Sequence, residues 1–215
     1  MAKRRKVGNL LALALLATLA QRPMHPYEMA SVLRAQGKDN SIKINWGSLY
    51  TVVQNLEKHG YVRATETTRQ GGRPERTVYA ITDAGRTELH DWMRELIGTP
   101  EREFSSFEAA LSVVGVLPPD EAIALLTQRL EALDKDLAEQ RAMLREAAET
   151  LPRVLLIESE YHLAVRGAEA DWVRSLLADV TDGSVSGIAE WREFHETGRL
   201  PQEFIDLMPR ELRND

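Results

Sequence analysis

Apolar positions along the first hundred residues change period several times, and each change marks an element. Leu10 to Ala20 is apolar on every side, which predicts a short helix buried all round. Asn9 stands before it as an N-cap, and Arg22-Pro23-Met24-His25-Pro26 breaks it. A second helix is predicted from about Tyr27 to Gln36, followed by a polar turn over Gly37 to Asn40. After Asn45-Trp46-Gly47-Ser48, the residues Leu49, Val52, Val53 and Leu56 recur at helical spacing, and Gly60 closes this third helix. Tyr61 to Thr68 and Glu75 to Ile81 favour strands on either side of Arg69-Gln70-Gly71-Gly72-Arg73-Pro74, a glycine-bearing hairpin tip. Thr82 and Asp83 start a fourth helix carrying Leu89, Trp92, Met93 and Leu96, and Gly98-Thr99-Pro100 ends it.

Beyond that point the pattern lengthens. A short helix is expected within Phe104 to Val116, stopped at Pro118-Pro119. From Asp120 onward Ile123, Leu126, Leu130, Leu133, Leu137 and Leu144 step by three and four, a coiled-coil seam interrupted by Gln140. Leu151-Pro152-Arg153 makes a turn, and a second stripe runs through Leu156, Leu163, Ala170, Val173, Leu177 and Val180. Two long helices with so short a connection run antiparallel. A last helix holds Ile188, Trp191 and Phe194. The expected fold is mainly α with a small β-hairpin wing: a winged helix-turn-helix over 1–98, an antiparallel helical domain over 99–200, and a tail over 201–215.

Charge sharpens this division. The net charge of −6 conceals 15 Lys+Arg against 8 Asp+Glu in Met1 to Arg94, net +7, and a remainder at −13. A basic first half suits a polyanion, and an acidic second half is repelled by one. Lys3-Arg4-Arg5-Lys6 ahead of an apolar run is also the layout of a secretory signal. That run is too short to span a membrane and is capped as a helix, so a cytoplasmic protein with no membrane attachment is expected. With no cysteine and no ligand spacing among His25, His59, His90, His162 and His195, no metal site is expected. Neither a cofactor loop nor a catalytic constellation stands out, so the reading is that the chain is not an enzyme.

Three helices followed by a hairpin place the third helix in the DNA major groove and the wing against the backbone. The DNA-binding candidates are accordingly Lys43, Asn45, Ser48, Tyr50, Thr51, Gln54 and Lys58 around the third helix, Arg69, Arg73 and Arg76 on the wing, and the N-terminal arm Lys3, Arg4, Arg5 and Lys6. Tyr50 and Tyr79 also read as core residues with only the hydroxyl exposed, and Trp46 as a packing anchor.

Four segments in order narrow the reading: His25-Pro26-Tyr27-Glu28-Met29; Gly47-Ser48-Leu49-Tyr50; Leu56-Glu57-Lys58-His59-Gly60-Tyr61-Val62; and Gly71-Gly72-Arg73-Pro74 leading to Val78-Tyr79-Ala80-Ile81-Thr82-Asp83-Ala84-Gly85-Arg86. Together they resemble the PadR family of transcription regulators, in its larger branch. The resemblance implies a homodimeric repressor that binds an operator in double-stranded DNA and often takes a small aromatic or drug-like effector in its C-terminal helices. Pro26 stands where the family commonly has glycine, and Thr51 where a proline often follows Ser-Leu-Tyr. The alternatives are a winged-helix module that binds protein, and a ligand-binding protein whose DNA head is vestigial.

One effector site is expected around Arg166, which falls with Ser159 on the apolar seam of the second long helix. A buried guanidinium needs a carboxylate from the facing helix, such as Asp134 or Glu139, or an anion from outside. Tyr161, His162 and Trp172 are the candidate walls for an aromatic acid held by Arg166. An internal ion pair, or an arginine that reaches out to solvent, is the competing reading of the same residue.

Overall fold

The computed structural model describes residues 5–38, 42, 44–68 and 76–207, with the backbone alone for 66–68, 76, 203 and 207. They divide into two units, Met1–Glu103 and Phe104–Asp215.

The first unit opens with α1 (Leu10–Leu19), started by the Asn9 side chain, which accepts a hydrogen bond from the Leu11 N–H at 2.8 Å. Leu11 to Leu16, Thr18 and Leu19 are all buried, so this helix has no polar face and forms the centre of the unit. Thr18 is tolerated there because its hydroxyl donates to the Ala14 carbonyl at 2.8 Å. Helix α2 (Pro26–Ala35) begins one residue earlier than the sequence suggests. Pro26 occupies the first turn, where it has no hydrogen bond to lose, and the His25 ring caps the Tyr27 N–H at 3.1 Å. A single turn of tighter helix over Trp46–Ser48 leads into α3 (Leu49–Lys58), which buries Leu49, Val52, Val53 and Leu56.

Strands β1 (Val62–Thr68) and β2 (Arg76–Ile81) pair antiparallel from Val62 opposite Ile81 to Thr68 opposite Arg76. The register shifts between Ala64 and Glu66, leaving Thr65 as an extra residue that accentuates the local twist. Met24, between α1 and α2, bridges Tyr79 through two 3.0 Å backbone bonds, so the wing is tied to the helical core from its other edge. Helix α4 (Asp83–Gly98) is capped by Thr82, whose Oγ1 accepts from the Gly85 N–H at 3.1 Å and donates to the Gly60 carbonyl at 2.6 Å. One hydroxyl therefore joins the end of the third-helix segment to the start of the fourth.

The second unit is built on α6 (Pro119–Ala148) and α7 (Ile157–Asp182), two long helices joined by a short turn and packed along their length. Pro119 is the first residue of α6, since proline's fixed φ suits that position. Leu133, Leu137 and Ala170 form the seam's buried centre, with Leu130 and Leu163 packed against it. The expected helix within Phe104 to Val116 is shorter, α5 (Ser106–Leu111), followed by a turn over Val114–Val116. Gly183, at φ 79°, ends α7 in the left-handed conformation that glycine adopts at least cost. Helix α8 (Ile188–Thr197) returns to the start of α6 through Trp191, whose ring N–H donates to the Leu117 carbonyl at 2.9 Å, and a 2.7 Å Arg192–Asp120 pair. A last turn, α9 (Gln202–Leu207), extends helical structure into the segment expected to be a tail.

Candidate nucleic-acid interface

Helix α3 has two faces of opposite chemistry. Its buried residues project into the core, and the opposite side carries Tyr50, Thr51, Gln54 and Lys58, all exposed. A phenol, a hydroxyl, an amide and an ammonium along about three turns provide donors and acceptors for base edges and a cation for phosphate. Tyr50 is 55% exposed, so the alternative in which only its hydroxyl emerges from the core does not hold. Asn45 and Ser48 shape the entry to the helix: the Asn45 Oδ1 accepts from the Gly47 N–H at 3.1 Å, and the Ser48 hydroxyl donates to the Asn45 carbonyl at 2.8 Å. Both side chains remain at the surface while holding the turn.

Tyr79, by contrast, is partly buried against the core, and burial followed by the charge of Glu57 pushes its phenol pKa up. Tyr61 shifts the same way, by burial first and the charge of Glu88 second.

The arm is divided by its contacts. Arg5 is not available to phosphate: its side chain is 9% exposed, and its guanidinium pairs with both Glu88 and Glu95 and lies 5.2 Å from the centre of the Trp92 ring. Desolvation opposes its charge, but the hydrogen bonds to Glu88 and Glu95 outweigh that and leave its pKa raised. The expectation that Arg5 belongs to the DNA-contacting arm is therefore corrected. It fastens the start of the chain to α4, where an acidic pair offers a better-desolvated partner than a distant phosphate. Lys6 is exposed. Lys3, Arg4, Lys43, Arg69 and Arg73 lie outside the described residues, and of Arg76 only the strand backbone is described.

Sequence reasoning missed Arg34. It ends α2 on the exposed side, and its guanidinium carbon sits 4.0 Å from the centre of the Trp46 ring, immediately before α3. The only sequence signal was a basic residue in the last turn of a helix, which is too common to be selective.

In the second unit Arg166 is half-buried, as its place on the seam requires, but its partner is Glu169 on the next turn of its own helix at 3.1 Å. Asp134, one of the two carboxylates expected to face it, pairs instead with Arg174 at 2.7 Å. Arg129 of α6 reaches the same Glu169, its Nε at 2.7 Å, and its guanidinium stacks 3.7 Å from the centre of the Phe107 ring. A shallow cavity of about 320 Å³ lies between Arg129 and Arg166, lined by Leu125, Gln128, Ala132 and Leu133. The expected aromatic walls are elsewhere. Tyr161 and His162 are exposed, Tyr161 on the opposite side of α7, and Trp172 meets the edge of Phe107 at 6.1 Å.

Among the described residues, no cluster of His, Asp and Glu is arranged to hold a metal ion, and no helix is long and apolar enough to cross a membrane.

Comparison with known proteins follows this division. Residues 15–91, from α1 into α4, match the "Transcriptional regulator PadR-like family". A Mycobacterium tuberculosis protein named as a probable transcriptional regulator is 31% identical over 56% of this chain and 70% of its own. The negative transcriptional regulator PadR of Bacillus subtilis is 27% identical over 57% of this chain and 66% of its own. Among solved structures, B. subtilis PadR in complex with operator DNA aligns at TM-score 0.63 and 22% identity, over 79% of this chain and 98% of that one. The same protein with p-coumaric acid aligns at 0.64 and 20%, over 80% and 99%. The Vibrio cholerae virulence activator AphA aligns at 0.60 and 21%, over 80% and 98%. These likenesses establish the winged-helix fold, and with the sequence matches they lead to one conclusion: the chain belongs to the PadR-like family of transcriptional regulators.

Proposed function

We propose that the chain is a homodimeric, sequence-specific DNA-binding repressor whose hold on its operator is released by a small molecule. The observation that carries this reading is the two-faced α3, whose Tyr50, Thr51, Gln54 and Lys58 form an exposed polar side on a helix otherwise locked into the core. A helix fixed in this way, beside a wing, is shaped to enter a major groove as a rigid body. The binding of operator DNA and p-coumaric acid by B. subtilis PadR, which shares the fold, supports both halves of the proposal. In this reading residues 1–98 grip DNA in the cytoplasm, and 99–200 dimerise and take the effector. Lys43, Asn45, Ser48 and the wing arginines Arg69, Arg73 and Arg76 complete the interface, together with Lys3, Arg4 and Lys6.

Support for a dimer comes from α7. Ile157, Tyr161, Val165 and Trp172 recur on the side opposite its buried seam and are between 48% and 72% exposed. Such a stripe on a long helix fits a second copy of the chain, since a two-fold operator is read by two heads.

A mobility-shift titration with the DNA upstream of the chain's own gene tests the proposal. The expected result is a retarded complex that survives excess mixed-sequence duplex and weakens steeply with salt. No complex at low salt overturns it. In that case the winged helix binds protein, or serves as a scaffold for ligand binding alone.

A further inference from the structure

We propose that Arg34, held by Trp46, is a DNA-phosphate contact that fixes the pose of α3 in the groove; this rests on the DNA-binding reading above. Trp46 is half-buried and packs on the core of the first unit, so its ring is a fixed platform. Arg34 lies over that platform, its guanidinium carbon 4.0 Å from the ring centre. An arginine on an exposed helix end ordinarily samples many rotamers, and stacking on indole removes much of that freedom before any ligand arrives. A planar guanidinium stacked by its face keeps its N–H groups around the edge, the geometry that phosphate oxygens accept.

Position supplies the second half of the argument. Trp46 precedes α3 by three residues, so the stacked cation sits beside the entry of the helix whose exposed face carries Tyr50, Thr51, Gln54 and Lys58. A helix with its side chains is about 10–12 Å across and the major groove about 12 Å wide, so phosphates on the groove rim come within side-chain reach of residues flanking the helix. Tyr27 precedes Arg34 by seven residues on α2 and is exposed, so the same stripe of that helix offers a further hydroxyl group, while the Ser31 hydroxyl between them donates to the Tyr27 carbonyl at 3.1 Å. A first helix crossing the backbone is the docking arrangement of helix-turn-helix proteins. In this chain the Arg34–Trp46 stack would make that crossing specific in angle. Arg34 is then a binding residue, and Trp46 a positioning residue that acts through it.

The experiment compares wild type, Arg34→Gln, Arg34→Lys, Trp46→Leu and the Arg34→Gln/Trp46→Leu double variant. Each is titrated between about 0.05 and 0.2 M salt against a duplex from upstream of the chain's own gene and a mixed-sequence duplex of equal length. Thermal melting monitors the fold. For Arg34→Gln the expected result is an affinity about three- to tenfold weaker on both duplexes, with the log–log salt slope shallower by about 0.9 per half-site. Arg34→Lys keeps the wild-type slope because it keeps the charge. Trp46→Leu weakens binding in the wild-type background and adds little to Arg34→Gln, the non-additivity expected of a coupled pair. A stack that only tied α2 to the turn would lower the melting temperature and leave the salt slope unchanged. An unchanged slope in folded Arg34→Gln therefore overturns the proposal while the DNA-binding reading stands. If Trp46→Leu does not fold, the glutamine and lysine variants decide alone. Absence of wild-type binding to either duplex at low salt overturns the DNA-binding reading itself.

Discussion

In the unit Met1–Glu103, nineteen buried hydrophobic residues among those described form one cluster centred on α1, and α2, α3, β1, β2 and α4 all contribute to it. In the unit Phe104–Asp215, the corresponding cluster among the described residues has three members, Leu133, Leu137 and Ala170, while Phe104, Met143, Val154, Leu155, Ile157, Tyr161 and Trp172 stay exposed. The two units are of similar length, so size does not explain the contrast. A layered domain closes its own core, whereas a two-helix hairpin has one seam and leaves the outer sides of both helices uncovered. The first unit is complete within one chain. The second leaves apolar side chains of α7 exposed, and this is why the dimer is proposed through it.

The largest effect expected from this contrast is on stability. Leu16→Ala removes a side chain with no exposure from the centre of the first unit, and the cavity left behind costs about 3 kcal/mol. Val165→Ala on the exposed stripe of α7 changes the stability of a single chain by less than about 0.5 kcal/mol. Urea unfolding at a protein concentration low enough to populate monomer measures both. Equal losses would mean that the two interiors do not differ as described.

Next comes assembly. Tyr161→Asp combined with Val165→Asp puts two carboxylates on the stripe proposed to meet the second copy, where burial would leave them unpaired. Sedimentation is expected to show a monomer, with operator affinity down about a hundredfold because two linked heads become independent. That is ~2.8 kcal/mol at 1.4 kcal/mol for each tenfold change. A variant that remains dimeric would move the interface away from α7.

A third prediction returns to the first unit. A Cβ added at Gly85 would lie 2.0 Å from the Tyr61 carbonyl oxygen, a backbone atom fixed by the wing, so Gly85→Ala is expected to cost about 2 kcal/mol. Gly98 ends the same helix with nothing within 4 Å, and Gly98→Ala is neutral or slightly stabilising. Thermal melts of the pair separate tight packing from helix propensity. Equal behaviour would deny the close approach.

These differences also explain how far the chain could be read from its sequence. The local signals read well. Asn9 and Thr82 cap where cap chemistry places them, and Gly60 ends the third-helix segment at φ 74°. The seam of α6 includes Leu133 and Leu137 at the predicted three-four steps. Contacts between residues distant in sequence stayed hidden. Arg5 meets Glu88 and Glu95 across more than eighty residues, and Arg129 meets Glu169 across forty. No periodicity encodes which of many carboxylates an arginine selects, and this is why the place of Arg5 on α4 and the Arg129–Glu169 contact beside Arg166 were not legible. The exposed residues of α3 were legible because a helix with one apolar face determines the other by geometry alone.

The smallest expected effect falls on Arg166, at the cavity it shares with Arg129. The Arg166–Glu169 pair spans one turn of α7 at 3.1 Å and is about a third exposed, the situation in which an ion pair contributes only a few tenths of a kcal/mol. Glu169 also keeps Arg129 as a partner, so Arg166→Leu leaves no carboxylate stranded. Stability is therefore expected to change by less than about 0.5 kcal/mol, and operator binding in the absence of ligand to stay at the wild-type level. Release from the operator is the sensitive readout. Of the ten N–H donors that two guanidinium groups bring to the cavity, the Glu169 bonds use three, so an organic carboxylate entering beside Leu125 and Leu133 finds charge-assisted partners. Mobility shifts with benzoate and cinnamate, each set against its neutral amide, test this. If the cavity takes the effector, the carboxylates release wild-type protein from its operator, the amides do not, and Arg166→Leu no longer responds. Full release of Arg166→Leu by the same acids would eliminate Arg166 as an effector residue and leave its pair with Glu169 as a minor clasp on α7.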